Sequence, residues 1–135
     1  MPTKNAPSAQ LKSVPLSRID IQDDTFRITT RTDVDDLLAS IPHEGLLNPP
    51  VVIEKVSDFT IVSGFRRTTA CKKLGLEEIT VRVLEPGLNS LQYLRYAIAD
   101  NTFQRPLNLV ETSRALHKLS AQLNTGKRLI ESASS

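Results

Sequence analysis

The chain has 135 residues, of which 39% are hydrophobic, and this length allows one domain with a modest core. Seventeen basic and fifteen acidic side chains give a formal net charge of +2, so the total charge does not by itself indicate a nucleic-acid-binding protein. A single cysteine excludes an internal disulfide framework and a CxxC metal site. The absence of Trp, with only two Tyr and four Phe, argues against an aromatic platform for single strands.

Residues 1–12 are polar and contain two prolines, which predicts a disordered leader. Their opening, MPTKNAPSAQ, lacks the apolar centre of a signal peptide, and no apolar run is long enough to span a bilayer. We therefore expect a soluble cytoplasmic protein without a membrane partner. The next segment, Val14 to Ile21, alternates apolar and polar residues and predicts a strand with one buried face.

A short helix is predicted after a polar, turn-like segment. Thr32 or Asp33 would cap its start, while Pro42 and Gly45 would mark its end. Its apolar face consists of Val34, Leu37, Leu38 and Ile41.

Two β-rich runs follow, Val51 to Lys55 and Phe59 to Ser63, and they predict a pair of strands. Gly64 ends the second strand. The next residues, Arg66 to Leu74, predict a helix with Gly75 at its C-terminal cap.

Alternation predicts a further strand from Ile79 to Leu84. A helix is then expected to begin at Asn89 or Ser90, and Asn108 with Glu111 has the spacing of a capping box at the start of another helix. Strands that alternate with helices favour a small α/β (α+β) domain, here over residues 13–86, followed by a helical extension over residues 87–124.

The sequence VSGFRRTTACKKLG, at the predicted strand-to-helix corner, suggests an anion site. It holds a glycine, an exposed-looking aromatic and four cations without a carboxylate, namely Arg66, Arg67, Lys72 and Lys73. Free N–H groups at a helix start attract anions, and Thr68 or Thr69 would add a hydroxyl. The alternative is a packing corner with two solvated arginines and a surface aromatic, and the corner alone favours that alternative.

Three segments, SIPHEGLLNPPVVI, IVSGFRRTTACKKLGL and AIADNTFQRPLNLVE, resemble in this order the three boxes of the ParB partition-protein N-terminal domain. That family shows an S-I-x-x-H-G-x-x-x-P box, a G-E-R-R-x-x-A box, and an E-N-x-Q-R box followed by L-N-x-x-E. The wider ParB–sulfiredoxin superfamily shares the middle box. The resemblance extends over about residues 13–124 and implies a small mixed β-sheet with flanking helices.

The resemblance also implies a site for CTP with Mg²⁺. The base pocket would be lined by Gly45, Leu46, Leu47, Asn48 and Pro49. The phosphates would lie against Arg27, Gly64, Phe65, Arg66, Arg67, Thr68 and Thr69. The metal would be held by Asp100 and Asn101, since hard oxygen ligands suit magnesium.

Three positions depart from the family pattern. Phe65 replaces the acid of the middle box, so hydrolysis is expected to be weak or absent while binding survives. Asp100 replaces a longer Glu. The pair Gln104 and Arg105 falls one position late relative to Asp100, which puts the role of that pair in doubt.

The family's partners are implied in the same way. Nucleotide binding would close the terminal helices and let a homodimer clamp DNA, in the partition of a chromosome or plasmid and with a ParA-type ATPase as a further partner. Sequence-specific DNA reading belongs in that family to a helix-turn-helix domain, whose start we expect at residues 125–135. The protein would then be cytoplasmic and nucleoid-associated.

Two other functions stay open from the sequence. The chain also resembles free-serine kinases of the same fold, in which an acid after the first strand acts as general base. That resemblance implies such a part for Asp23 or Asp24, although both are most simply turn formers. A structural adaptor that has lost its ligand is the other. Among single residues, Cys71 is interpreted as a buried helix cysteine and His43 as a solvated loop histidine.

Overall fold

The computed structural model describes residues 8–30, 32–45, 48–104 and 107–134. They form two compact units, one of Met1–Arg27 with Arg31–Gly87 and one of Ile28–Thr30 with Leu88–Ser135. Within the described ranges, no helix combines the length and apolar character needed to cross a membrane.

The first unit is built on a five-stranded mixed sheet. Its strands are β1 (Ala9–Pro15), β2 (Ile19–Asp20), β3 (Val51–Glu54), β4 (Phe59–Ser63) and β5 (Glu78–Leu84). They lie in the order β1-β5-β3-β4-β2. The β1–β5 and β3–β4 pairs are antiparallel, whereas β3–β5 and β2–β4 are parallel. The fold class predicted from the sequence is therefore confirmed.

The predicted single strand from Val14 to Ile21 is wrong in its bounds. The first strand already begins at Ala9, a 3₁₀ turn follows at Leu16–Arg18, and β2 has two residues only. The strand starts five residues before the predicted one because the backbone of β1 pairs with β5 from Ala9↔Leu84 onward. The first five residues of β1 are exposed. Pairing of this kind leaves no hydrophobic pattern in the sequence.

Two helices complete this unit, α1 (Asp35–Glu44) and α2 (Phe65–Lys73). The first begins after Val34, one residue later than a cap at Asp33 would place it, but Asp33 Oδ1 does accept from Asp35 N at 3.0 Å, and Pro42 lies inside the helix. Its end at Gly45 is as predicted, with φ 71° and an N–H that donates to Ile41 O at 2.8 Å.

Apolar side chains of both helices pack on the sheet in one core. From the helices, this core receives Ile41, Phe65, Ala70 and Cys71, and from the strands it receives Val14, Ile19, Val52, Phe59, Ile61, Ile79 and Val81. All five residues of β4 are buried. Because β4 leads into α2, the corner between them rests on the most buried strand of the sheet.

The second unit contains α3 (Ser90–Gln104), α4 (Leu109–Ser134) and the short segment Ile28–Thr30. Asn89 and Gln92 form a reciprocal cap at the start of α3, in which Gln92 N donates to Asn89 Oδ1 at 2.8 Å and Asn89 N to Gln92 Oε1 at 2.9 Å. The predicted helix start at Asn89 or Ser90 is therefore confirmed.

Candidate functional site

Gly64 and the first turn of α2, Phe65–Thr68, form a tight corner that we call the α2 corner. Gly64 has φ 99° and ψ 31°, a left-handed conformation that favours glycine. A Cβ at this position would lie 2.8 Å from Cα and Cβ of Pro50. The glycine is therefore required both by its backbone angles and by the close approach of the chain at Pro50.

The start of α2 presents backbone donors without a side-chain cap. Its first helical bond runs from Thr68 N to Gly64 O at 3.0 Å, so the N–H groups of Phe65 and Arg66 precede the ladder. No acidic residue lies in the first turn, and no side chain caps it. No carboxylate of α2 therefore neutralises the positive end of the helix dipole. Such an uncompensated helix start favours the binding of an anion.

Phe65 is not the surface aromatic that the sequence suggested. It is only 7% exposed and belongs to the core. The correction has a simple cause, since the first residue of α2 follows a fully buried strand and its side chain continues into the same core.

Arg27 lies beside this aromatic ring, with its Cζ 5.6 Å from the centroid of Phe65. Within the described part of the chain, Arg27 Nε is the buried side-chain nitrogen that has no hydrogen-bond partner. Leaving such a donor unsatisfied is costly, so an orphaned donor of this kind is a candidate for a ligand contact. The structure therefore brings Arg27, predicted from the loop after the first strand, to the α2 corner.

The side chain of the neighbouring Arg66 donates its hydrogen bonds to acceptors within the protein. Its Nε and Nη2 donate to Asp33 O at 2.9 and 2.6 Å, and Nη2 also donates to Asp36 Oδ1 at 2.8 Å. Asp33 lies just before α1, and Asp36 lies in its first turn. Arg66 thus connects the two helices, and its side chain is not the solvated cation of the packing alternative.

Arg67 connects the α2 corner to the loop before β3. Its Nη1 donates to Asn48 O, and the same loop approaches Gly64 at Pro50. Asn48 and Pro49 of the predicted base pocket therefore lie next to the predicted phosphate residues, and Gly45 begins the same loop. The other two pocket residues, Leu46 and Leu47, lie outside the described residues.

The two threonines of α2 differ in their availability. Thr68 is buried, and its Oγ1 donates to Gly64 O at 2.9 Å, so its hydroxyl proton stays within the corner. Thr69 is partly exposed.

The remaining polar groups of α2 serve the fold. Lys72 Nζ donates to Ile19 O at 2.9 Å and so connects α2 to β2. Cys71 is buried, and this burial raises the pKa of its thiol, which keeps it protonated and unreactive. The interpretation of Cys71 as a buried helix cysteine is confirmed, and of the four cations only Lys73 has an exposed side chain.

Asp23 has the environment of a turn residue. Its Oδ1 accepts from Thr25 N at 3.1 Å and from Thr25 Oγ1 at 2.6 Å, and its Oδ2 accepts from Thr60 Oγ1 at 3.1 Å. Burial opposes its ionisation, but these bonds and the Lys55 ammonium outweigh that effect and lower the pKa of the carboxyl. A carboxylate held in this way is a weak base at neutral pH, which disfavours the kinase alternative at this residue.

His43 lies in the last turn of α1 rather than in a loop, and its side chain is exposed as expected.

Residues 2–102 match the model of the ParB N-terminal domain family. The chain belongs to this family. The match extends from the leader through the first two boxes and into the start of the third, and so includes the α2 corner and the 45–50 loop.

Relatives of known function or structure agree with this assignment. A probable chromosome-partitioning protein ParB of Campylobacter jejuni is 33% identical over 86 residues, which are 64% of this chain and 30% of that protein. The C-terminally truncated chromosome-partitioning protein ParB from Caulobacter crescentus, complexed with CTP-γ-S, is 28% identical with a TM-score of 0.57, over 85% of this chain and 65% of that one. The same Caulobacter protein complexed to the centromeric parS site is 26% identical with a TM-score of 0.55, over 84% of this chain and 58% of that one. This chain therefore spans less than two thirds of the length of each.

In this ParB-type chain the predicted metal residues lie on α3, in the second unit. Asp100 is partly exposed. The side chain of Asn101 lies outside the described residues, as do those of Gln104 and Arg105, and so do the side chains of the predicted helix-turn-helix start. Across the described ranges, no three His, Cys, Asp or Glu side chains form a group that could hold a metal by themselves.

One residue of the third box has a larger role than the sequence indicated. Glu111 is 0% exposed and forms the predicted capping box, since Glu111 N donates to Asn108 Oδ1 at 2.8 Å and Asn108 N to Glu111 Oε1 at 3.2 Å. Its Oε2 also accepts from Thr30 N at 2.8 Å. Arg114 Nη1 donates to Thr29 O at 2.9 Å. These hydrogen bonds hold the first turn of α4 against the segment Ile28–Thr30. Thr30 and Glu111 are 81 residues apart in the sequence, so a local motif does not reveal the contact.

Proposed function

We propose that this chain is a nucleotide-binding ParB module that takes CTP at the α2 corner. The observation that carries the proposal is the Arg27 guanidinium, which lies against Phe65 with a buried Nε that has no partner among the residues the structure describes. A phosphate oxygen would satisfy that donor and the N–H groups at the start of α2 at the same time. Support at the family level comes from the Caulobacter ParB, which is solved with CTP-γ-S.

The phosphate contacts divide into two kinds. Arg27, the N–H groups of Phe65 and Arg66, and the Thr69 hydroxyl would touch the ligand, and Gly64 allows its close approach. The side chains of Arg66 and Arg67 and the hydroxyl of Thr68 hold the corner in shape through protein acceptors. Rigid donors that need no reorganisation bind an anion better than mobile ones.

The base would lie in the 45–50 loop, among Gly45, Leu46, Leu47, Asn48 and Pro49. The contact of Arg67 with Asn48 O supports this, because it holds Asn48 beside the α2 corner. Backbone groups of such a loop supply the donors and acceptors that read a base edge.

Magnesium is the proposed companion of the triphosphate, with Asp100 and Asn101 as its ligands from the protein. A bound Mg²⁺ would neutralise phosphate charge. This ion commonly takes one or two carboxylates and completes its shell with water and phosphate oxygens, so a single partly exposed Asp on α3 fits such a role without a larger acidic group.

Turnover is proposed to be weak or absent. Phe65 occupies the position at which the family box has its acid, and its ring is buried in the core. A phenyl ring has no group that accepts a proton or orients water.

The wider role we propose is DNA partition by a nucleotide-gated dimer. DNA would bind mainly through a domain that lies outside this chain, a ParA-type ATPase would be a further partner, and the location would be cytoplasmic on the nucleoid. The Caulobacter relative in complex with the centromeric parS site supports the DNA partner. The dimer is supported by a row of exposed leucines on α4 at heptad spacing, namely Leu109 (82%), Leu116 (61%) and Leu123 (57%).

The proposed ligand is tested by calorimetric titration of the chain with CTP, ATP, GTP and ADP in the presence of Mg²⁺. We expect CTP to bind in preference to the other three, with little CTP consumed. Equal binding of all four, or binding of none, contradicts the proposal, and the second result favours a structural adaptor.

The dimer is tested by Leu116→Glu. A charge within the leucine row is expected to abolish the increase in sedimentation coefficient that CTP with Mg²⁺ produces, because a buried unpaired carboxylate opposes association. His117→Glu, exposed and about 100° further around the same helix, is the control and should leave that increase in place. An undiminished increase in Leu116→Glu means that α4 does not form the interface through this row.

A further inference from the structure

Phe65 and Arg27 form a contact that the family pattern does not contain. The guanidinium carbon of Arg27 lies over the ring of Phe65, 5.6 Å from its centroid. The ring is nearly fully buried and fixed in the core, so it offers a stationary face to the cation. A cation over an aromatic face is attracted by the ring quadrupole, and this attraction uses none of the five N–H donors of arginine.

The cations of α2 differ from Arg27 in their hydrogen bonds. Arg66, Arg67 and Lys72 each donate hydrogen bonds to backbone carbonyls of the protein. Within the described residues, Arg27 Nε instead is buried and without an acceptor. Arg27 is therefore held against the ring while its Nε–H has no acceptor among the described residues.

A carboxylate at position 65 would act differently. It would pair with a guanidinium at this distance through charge-assisted hydrogen bonds and occupy the donors that an anion needs. With Phe65, the first turn of α2 contains no acid at all. The aromatic ring thus orients the arginine and leaves the positive charge of the corner uncompensated.

We infer that Phe65 is a positioning residue, which holds the Arg27 guanidinium over its ring so that the open Nε–H meets a phosphate oxygen of the ligand. The inference rests on the proposed function for its ligand. On this inference, the substitution of the box acid by Phe65 does more than remove a carboxylate, because the ring contributes to ligand binding.

The first test compares two phenylalanines of the same core. Phe65→Leu keeps an apolar side chain and removes the aromatic face. Phe59→Leu is the matched control, because Phe59 is also buried and also lies under a guanidinium, that of Arg18 at 4.7 Å. By calorimetry we expect Phe65→Leu to weaken CTP binding about fivefold, the size of one cation–π contact, and Phe59→Leu to leave the affinity within twofold. Phe65→Tyr, which retains the aromatic face, should bind CTP with the affinity of the wild-type chain.

The role of Arg27 is isolated by a double-mutant cycle. In an Arg27→Ala background, Phe65→Leu should have no further effect on the CTP affinity, because the residue on which it acts is gone. Equal weakening in both backgrounds, or unchanged affinity in Phe65→Leu, overturns the inference.

A measurement without nucleotide separates this inference from the proposed function. The Nε–H proton of Arg27 should show an upfield ring-current shift in the wild-type ¹H–¹⁵N spectrum, lost in Phe65→Leu and kept in Phe59→Leu. An Nε–H resonance without this shift overturns the inference even if CTP binds. If the shift is present but no nucleotide binds, the proposed function fails while the positioning of Arg27 by Phe65 stands.

Discussion

Gly64→Ala is expected to lower the free energy of unfolding by about 2–5 kcal/mol and to remove nucleotide binding. A left-handed backbone costs an L residue about 1–2 kcal/mol, and overpacking costs about 1–3 kcal/mol more. Both penalties apply here, since φ is 99° and the new Cβ would lie 2.8 Å from two atoms of Pro50, one of them backbone Cα. Relief of that clash would move the 45–50 loop away from the α2 corner. Urea unfolding measures the first effect and calorimetry the second.

Gly75→Ala is the matched control for this prediction. Gly75 also has a positive φ, of 75°, but a Cβ there meets nothing within 4 Å. Its loss should therefore be limited to the backbone term of about 1 kcal/mol, with the CTP affinity unchanged. If the two glycine variants lose equal stability and bind CTP equally, the close approach at Pro50 does not matter to the site.

Glu111→Ala is expected to destabilise the second unit by about 2–4 kcal/mol. The carboxylate is fully buried and accepts from Thr30 N and Asn108 N, so its removal leaves two donors without their acceptor. Hydrogen bonds to a charged group contribute about 1.5–3 kcal/mol. Because Asn108 is exposed and Thr30 is half-buried, water replaces part of what their N–H groups lose. Urea unfolding followed by the helical signal measures this loss.

Glu54→Ala serves as the control carboxylate. Its ion pair with Arg18, at 3.9 Å between Nη2 and Oε2, is exposed, and surface pairs of this kind contribute less than about 1 kcal/mol. A loss in Glu111→Ala no larger than that in Glu54→Ala contradicts the central place of Glu111 at the start of α4.

Much of the fold could be predicted because it depends on local signals. The strand β4 is a run of β-favouring residues that Gly64 ends, Gly64 and Gly75 flank α2, and the Asn108–Glu111 spacing gives the start of α4. Each of these features depends on residues within one or two turns of the chain. The early start of β1 could not be predicted, because its first five residues are exposed and pair with β5 mainly through backbone hydrogen bonds, which leave no apolar pattern in the sequence.

The site could be predicted only in outline. The sequence indicated Arg27 and the glycine corner through the family resemblance, and the structure brings them together. It did not indicate that Phe65 is buried, or that Arg66 and Arg67 donate to Asp33 O and Asn48 O. These partners are 19 to 33 residues apart, and a local pattern carries no signal for a contact at that separation.

The most direct test of CTP binding at the α2 corner is a titration with CTP and Mg²⁺ followed by the ¹H–¹⁵N resonances of the chain. We predict that the amides of Phe65 and Arg66 and the Nε–H of Arg27 shift most, and that they shift together along one binding curve. If saturating CTP shifts resonances elsewhere in the chain and leaves these three unchanged, CTP binding at the α2 corner is contradicted.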